Sequence, residues 1–251
     1  MAGFLGFGNY AKPGKGVGRD EPQKKRFFYF FDLYFRKLTR LIQLNLLYLL
    51  FCLPIITIGP ATAAMVKIAR YYVEEKPVFL WSDFWEAFKS NFKQGFFVGI
   101  LSAVLTFAVS QAFIFYYAKS FENGLYWIPL VVIGFLSLLL VFSSFYVYLV
   151  MVTVEVNFFA LLKNSLMLCF LGAKTNWLTL IFLVVITIPS VFFPIPIMLL
   201  FTFSTAAFLI CFNSFQYVYE FLIRPYYLAN GLEDPYEEKD LKEESIFEDT
   251  I

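Results

Sequence analysis

The stretch Leu53-Pro54-Ile55-Ile56-Thr57-Ile58-Gly59-Pro60 decides how the chain is threaded. An uncharged, mostly apolar segment from Leu41 leads into it, and a small-residue segment, Ala61-Thr62-Ala63-Ala64, leads out. Pro54 lacks a backbone N–H and fits badly inside a helix; Leu53 and Gly59 each precede a proline and are biased away from the α region. Pro60 suits the first position of a new helix, where no N–H is needed. The reading is a helix that ends, a tight tip and a helix that returns, with Pro54, Thr57, Gly59 and Pro60 as the tip motif.

The solvent for such a hairpin follows from composition. Hydrophobic residues make up 60% of the 251, 34 of them Phe, and only 16% are charged. A soluble domain is nearer half apolar and a quarter charged, and a chain of this size still needs a polar surface. Lipid supplies the missing solvent. A net charge of +1 gives no case for a nucleic-acid partner. Histidine is absent, which removes the commonest general base and metal ligand together with any Ser/His or Cys/His pair. Cys52, Cys169 and Cys211 stand singly in apolar runs, so they suggest neither a zinc site nor a disulfide framework and read as buried inert thiols. Glu155 is alone at a span end, with no carboxylate to pair with. No metal, no cofactor and no enzymatic activity are expected.

Hydropathy and punctuation predict an all-α membrane protein, a six-span helical bundle in three hairpins with cytoplasmic amphipathic linker helices. The spans are expected at about 38–58, 60–76, 96–118, 126–154, 176–192 and 197–219. The positive-inside rule decides whether 60–76 crosses. If it stays outside, the 20 Lys and Arg divide evenly between the two sides; if it crosses, seventeen lie inside, Lys119 alone lies outside, and Lys67 and Arg70 fall within the span. The asymmetry selects six spans with both termini cytoplasmic.

Around the 27–222 transmembrane domain, residues 1–26 read as a flexible basic arm and 223–251 as an acidic tail. The first forty residues hold no apolar h-region, so the first span is expected to act as its own uncleaved signal. Aromatic residues 27–35 suit an interfacial lead-in. In 78–95, Trp81, Phe84, Trp85, Phe88 and Phe92 recur at helical spacing, opposite Asp83, Glu86, Lys89, Ser90 and Lys93. That pattern predicts an amphipathic helix in the cytoplasmic interface. Residues 158–174 form a second linker, and Lys163-Asn164-Ser165 there echoes Lys89-Ser90-Asn91.

Polar residues inside the spans are the candidate site. Asn45 reads either as an interhelical hydrogen bond or as a ligand contact. At about 1.5 Å rise per residue, Arg70 lies on the order of 9 Å and Lys67 about 14 Å from the cytoplasmic end of their helix. Both can snorkel, pair with Glu74 on the same face, or form with Asn45 an intramembrane polar site; a charge at mid-membrane costs only about 3 kcal/mol on insertion scales.

Arg36-Lys37, Asn45, Leu53-Pro54-x-x-Thr57-x-Gly59-Pro60-Ala61 and Asp83-Phe84-x-x-x-Phe88-Lys89-x-Asn91-Phe92 resemble the YesL-like family of bacterial membrane proteins of unknown function. Beyond about residue 100 the likeness is hydropathy. The resemblance implies a multi-pass protein of the bacterial cell membrane, commonly encoded beside carbohydrate-uptake and glycoside-degradation genes. It therefore implies an accessory or component role in carbohydrate uptake, with the lipid bilayer and components of a carbohydrate transporter as partners. No catalytic or ligand-binding residues are carried over. Two other functions fit the residues: a small transporter or channel built on the broken element Pro54–Pro60, and a scaffold or sensor working through its tails.

Overall fold

A computed structural model describes residues 26–192 and 198–232. The basic arm up to residue 25, most of the acidic tail and the proline-rich turn at 193–197 lie outside them. Leu33–Pro235 form one compact unit. The described part of a second unit is Arg26–Asp32, in which the rings of Phe27, Phe28 and Phe31 pack edge to face.

Every regular element among the described residues is helical. Helix α1 covers Arg26–Cys52, a single 3-10 turn Ile55–Thr57 follows, and α2 covers Ile58–Val73. Then come α3 (Leu80–Ser90), α4 (Phe92–Ser120), a 3-10 turn at Gly124–Tyr126, α5 (Trp127–Thr153), α6 (Phe158–Leu171) and α7 (Ala173–Phe192). Helix α8 (Phe203–Val218) is flanked by π-helical turns at Met198–Thr202 and Tyr219–Ile223, and α9 (Arg224–Asn230) closes the described chain.

By length and composition, three helical stretches can cross a membrane: Phe92–Ser120, Gly124–Thr153 and Leu200–Asn230. Helices α6 and α7 make a fourth if the pair is one broken span, bent by 89° across Gly172. The first two expected spans fall short of that standard. Helix α1 is long, but only Leu41–Cys52 follows its last charge, Arg40. Helix α2 has 16 residues and carries Lys67 and Arg70.

Residues 53–57, with a single 3-10 turn, join α1 to α2, and the two segments meet at two points. Arg36 pairs with Glu75 far from this turn, and Tyr48 meets Thr62 at 3.3 Å nearer to it. Helix α1 stops at Cys52, two residues before Pro54. Helix α2 starts earlier than expected, at Ile58, so Pro60 is its third residue, still in the turn whose N–H groups have no helical acceptor. At the far end Glu75 adopts φ +57°, and the Lys76 N–H closes the helix on the Tyr71 carbonyl at 2.9 Å.

Helix α2 lies at the centre, packed by α3, α4, α5 and α8, with eleven of its sixteen residues buried. Its small side chains permit this. Gly59 rests against the backbone of Gly95 and Gly99: a Cβ at Gly59 would fall 2.1 Å from the Gly95 carbonyl oxygen and 3.1 Å from the Gly99 Cα. Only glycine allows so close an approach of two backbones.

The expected single amphipathic helix over 78–95 divides at Asn91, whose amide turns back to the Ala87 carbonyl at 2.9 Å. Asp83 accepts from the N–H of Phe79 at 2.9 Å, fixing the start of α3 in the manner of a capping box. The apolar face of α3 is shared between bundle and exterior. Phe84, Ala87 and Phe88 are buried, with Phe84 and Phe88 ringed about Phe51 at 5.1 and 5.0 Å, whereas Trp81 and Trp85 stay exposed. Lys89 lies over the Trp85 ring at 4.7 Å and Phe92 packs edge-on to Phe88.

Candidate functional site

The polar residues expected in the first hairpin do not form one site. Arg70, on the buried side of α2, is 8% exposed. Its Nη1 donates to Thr153 Oγ1 at 2.9 Å, its Nε lies 3.4 Å from Glu74 Oε1, and its guanidinium packs over the rings of Tyr71 (5.3 Å) and Phe215 (5.7 Å). The other oxygen of Glu74 takes Lys76 at 2.5 Å. The result is a cation–anion–cation chain, buried at Arg70 and Glu74 and open to the exterior at Lys76, that links α2, the end of α5 and α8. Such a chain holds its charges in place because each has a partner, and losing one member leaves the rest uncompensated.

Asn45 works elsewhere. It is fully buried, and its Oδ1 accepts from the N–H groups of Phe203 (3.1 Å) and Ser204 (3.0 Å). Those donors sit where the π-helical turn passes into α8, a place where the regular ladder is interrupted. Asn45 thus joins α1 to the start of α8. Lys67 is half-buried and has no hydrogen-bond or ion-pair partner among the described residues. Of the tip motif, Thr57 Oγ1 donates to the carbonyls of Phe51 and Pro54, both at 2.5 Å, and Gly59 makes the α4 contact.

A second polar seam, between α5, α6, α7 and α8, was not singled out from the sequence. Tyr146 donates to Asn176 Oδ1 at 2.8 Å, and Asn176 Nδ2 donates to the Cys169 carbonyl at 2.9 Å. Asn213 reaches Thr179 at 2.9 Å, and Thr175 meets Tyr217 at 2.7 Å. A Cβ on Gly172 would fall 2.0 Å from the Tyr146 hydroxyl, so any side chain at 172 would displace that hydroxyl from its place against Asn176. The available signal was two asparagines, Asn176 and Asn213, in otherwise apolar runs, since such residues bond across helices in lipid.

A groove of about 240 Å³ between α4 and α5 is lined by Ser102, Thr106, Ser110, Ser137, Ser143 and Ser144 among apolar side chains. The hydroxyls of Ser110, Ser137 and Ser144 donate to carbonyls of their own helices, at 2.7, 2.7 and 2.6 Å. They are satisfied without a ligand. No group of three or more Cys, Asp or Glu able to hold a metal occurs among the described residues. Cys52, Cys169 and Cys211 are free thiols, the latter two buried.

These features define a class: an all-helical membrane protein whose buried polar groups join one helix to another. A family model described as a protein of unknown function, DUF624, matches residues 41–113, from the uncharged part of α1 into the middle of α4. No curated protein and no solved structure matches the chain.

Proposed function

We propose that the chain is a YesL-like protein of the bacterial cell membrane, with both termini cytoplasmic, that serves carbohydrate uptake as an accessory or component and carries out no chemistry of its own. Its membrane segments pair as three hairpins, α1–α2, α4–α5 and α7–α8. The observation that carries the reading is the sequence motif of the first hundred residues: Leu53–Pro60, followed by Asp83-Phe84 through Asn91-Phe92, inside the stretch that the family model matches. The proposed orientation draws on the Lys and Arg asymmetry, and the non-enzymatic role on the absence of His and of paired membrane carboxylates.

Two experiments test it. Topology reporters fused after Gly124 and after Asp240 should report opposite sides, with Asp240 cytoplasmic. An active extracellular-type reporter at Asp240 overturns the arrangement. A deletion strain should grow poorly on at least one oligosaccharide handled by the neighbouring genes, and crosslinking in the native membrane should recover transporter components; normal growth on all of them sinks the uptake role.

One observation favours a second reading, a small transporter. The 89° bend at Gly172 places Asn176 and the Asn213–Thr179 pair beside a broken helix, the element from which transporters build their sites. Solute flux in liposomes, lost on Asn176→Leu with the fold retained, would establish it.

A further inference from the structure

The tip of the first hairpin leaves an apolar surface uncovered. Leu53, Ile55 and Ile56 are 76%, 81% and 67% exposed. A turn that faces water is built from Gly, Asn, Asp and Ser, which bond to it or relieve its backbone. Here three isoleucines occupy the tip, and its one hydroxyl is spent inward: Thr57 Oγ1 donates to the carbonyls of Phe51 and Pro54, and the Thr57 N–H donates to Pro54 as well, at 2.9 Å. Pro54 has no N–H to satisfy. Each bond closed within the turn lowers the cost of placing it away from water, where an open backbone group costs several kcal/mol.

The patch is continuous with the exposed apolar surface of a helix long and apolar enough to cross a membrane. Through Gly59, the tip rests on the backbone of Gly95 and Gly99 at the start of α4. Neighbouring Phe97 and Ile100 on α4 are themselves exposed, and α4 is one of the stretches able to cross the membrane. Length decides how far the hairpin reaches. Between Arg40 and the end of α1 lie Leu41–Cys52, twelve residues. At about 1.5 Å each they cover roughly 18 Å, against a hydrocarbon core of about 30 Å. On the return, Lys67 comes only nine residues after Ile58.

We propose that the α1–α2 hairpin is re-entrant: its tip, Leu53–Ile58, is immersed among lipid acyl chains, and the chain turns back without the tip emerging into water. The apolar side chains face the acyl chains, while Thr57 and the Gly59–Gly95–Gly99 contact hold the turn closed and seated on α4. This rests on the reading of the chain as a membrane protein with three hairpins. Because a re-entrant and a crossing hairpin both return the chain to its own side, the reporter fusions cannot decide between them, and the two readings can fail separately.

The test uses the full chain in vesicles of phosphatidylcholine and phosphatidylglycerol. Nitroxide labels are placed at Ile55→Cys and Ile56→Cys, with Cys52, Cys169 and Cys211 replaced by alanine, and Glu122→Cys in the α4–α5 loop serves as the water-exposed control. At 55 and 56, collisions with oxygen should exceed those with a water-soluble nickel chelate several-fold, and at 122 the order should reverse. Nickel above oxygen at the tip overturns the proposal, because the tip is then in water. Low collision rates with both also overturn it, because protein then covers the tip. If the cysteine-free chain does not fold, Ile55→Cys in the native background is read with a membrane-impermeant maleimide and peptide mass. No modification in sealed vesicles from either side, with full modification in denaturant, supports immersion; ready modification in intact vesicles overturns it.

Discussion

Helices α2 and α4 are both apolar and touch each other, yet they meet opposite environments. Eleven of sixteen residues are buried in α2, whereas in the 29 residues of α4 only Gly95, Val98 and Ser120 are. Helix α2 carries Lys67 and Arg70 within its sixteen residues and is the less apolar of the two, yet it is the more buried; its small side chains are what make the close approach possible. The buried face of α2 includes Gly59, Ala61, Ala63, Ala64 and Ala69, which let neighbouring backbones close in beside Met65, Ile68 and Tyr72, while α4 turns Phe97, Phe107, Phe113 and Phe115 outward. Where lipid is as apolar as the side chains, helices associate by close packing and hydrogen bonds rather than by escape from water, so small residues mark the closest helix contacts.

The strongest way to break this contrast is to give the small face bulk. Gly59→Leu would drive a side chain into the Gly95 carbonyl, and backbone cannot rotate aside as a flexible side chain can. Overpacking of this kind should cost about 3 kcal/mol or more. The variant should lose its monodisperse peak in detergent, or melt far below the parent, when followed by size-exclusion chromatography after heating. Gly134→Leu in α5, where nothing lies within 4 Å, is the control and should melt with the parent. Equal melting of the two variants would remove the argument for α2 as the packed centre.

The buried charges of α2 give a smaller effect. Arg70→Met removes a partner from Thr153 and from one oxygen of Glu74, but Lys76 still holds the other oxygen. The expected loss is therefore about 2 kcal/mol, below the 3–5 kcal/mol of a buried pair broken outright. A double-mutant cycle with Glu74→Gln should recover at least about 0.5 kcal/mol of coupling. Strict additivity would mean that the pair contributes nothing, and that Thr153 and the two ring contacts hold the guanidinium.

Much of this arrangement could be read from residue order. Pro54 falls just past the end of α1 and Pro60 in the first turn of α2 because proline chemistry is local and needs no neighbour. The helical spacing of Trp81, Phe84, Trp85 and Phe88 announced α3 for the same reason. Long-range information was not in the pattern. The alternation of aromatics in 78–95 could not say that all four rings would gather on Phe51, with Phe84 and Phe88 buried by the bundle and Trp81 and Trp85 left partly open, because either outcome leaves an amphipathic helix. Likewise Asn45, Lys67 and Arg70 looked like one polar site when only α1 and α2 were considered. Helix α8 and the end of α5, more than a hundred and about eighty residues further on, claim Asn45 and Arg70 separately. The Tyr146–Asn176 seam escaped notice because its members are single polar residues that gain meaning only when α5 and α7 come together.

The smallest expected effect lies on α4, and it sharpens the comparison from the other side. Phe107 is 67% exposed, with its ring turned away from the bundle. If acyl chains cover it, Phe107→Leu exchanges one lipid-solvated side chain for another, and the melting temperature in detergent and in vesicles should change by no more than an exposed substitution does, about 0.5 kcal/mol. If a second protein covers α4, the ring is an anchor in a packed interface, and aromatic anchors there cost about 2 kcal/mol or more on truncation. Purified protein would then show little change, while the variant would be lost from crosslinked complexes in the native membrane. Measuring Phe107→Leu in both settings therefore separates a helix whose outer face needs only lipid from one whose outer face needs a partner, a distinction that composition, the same for both, does not make.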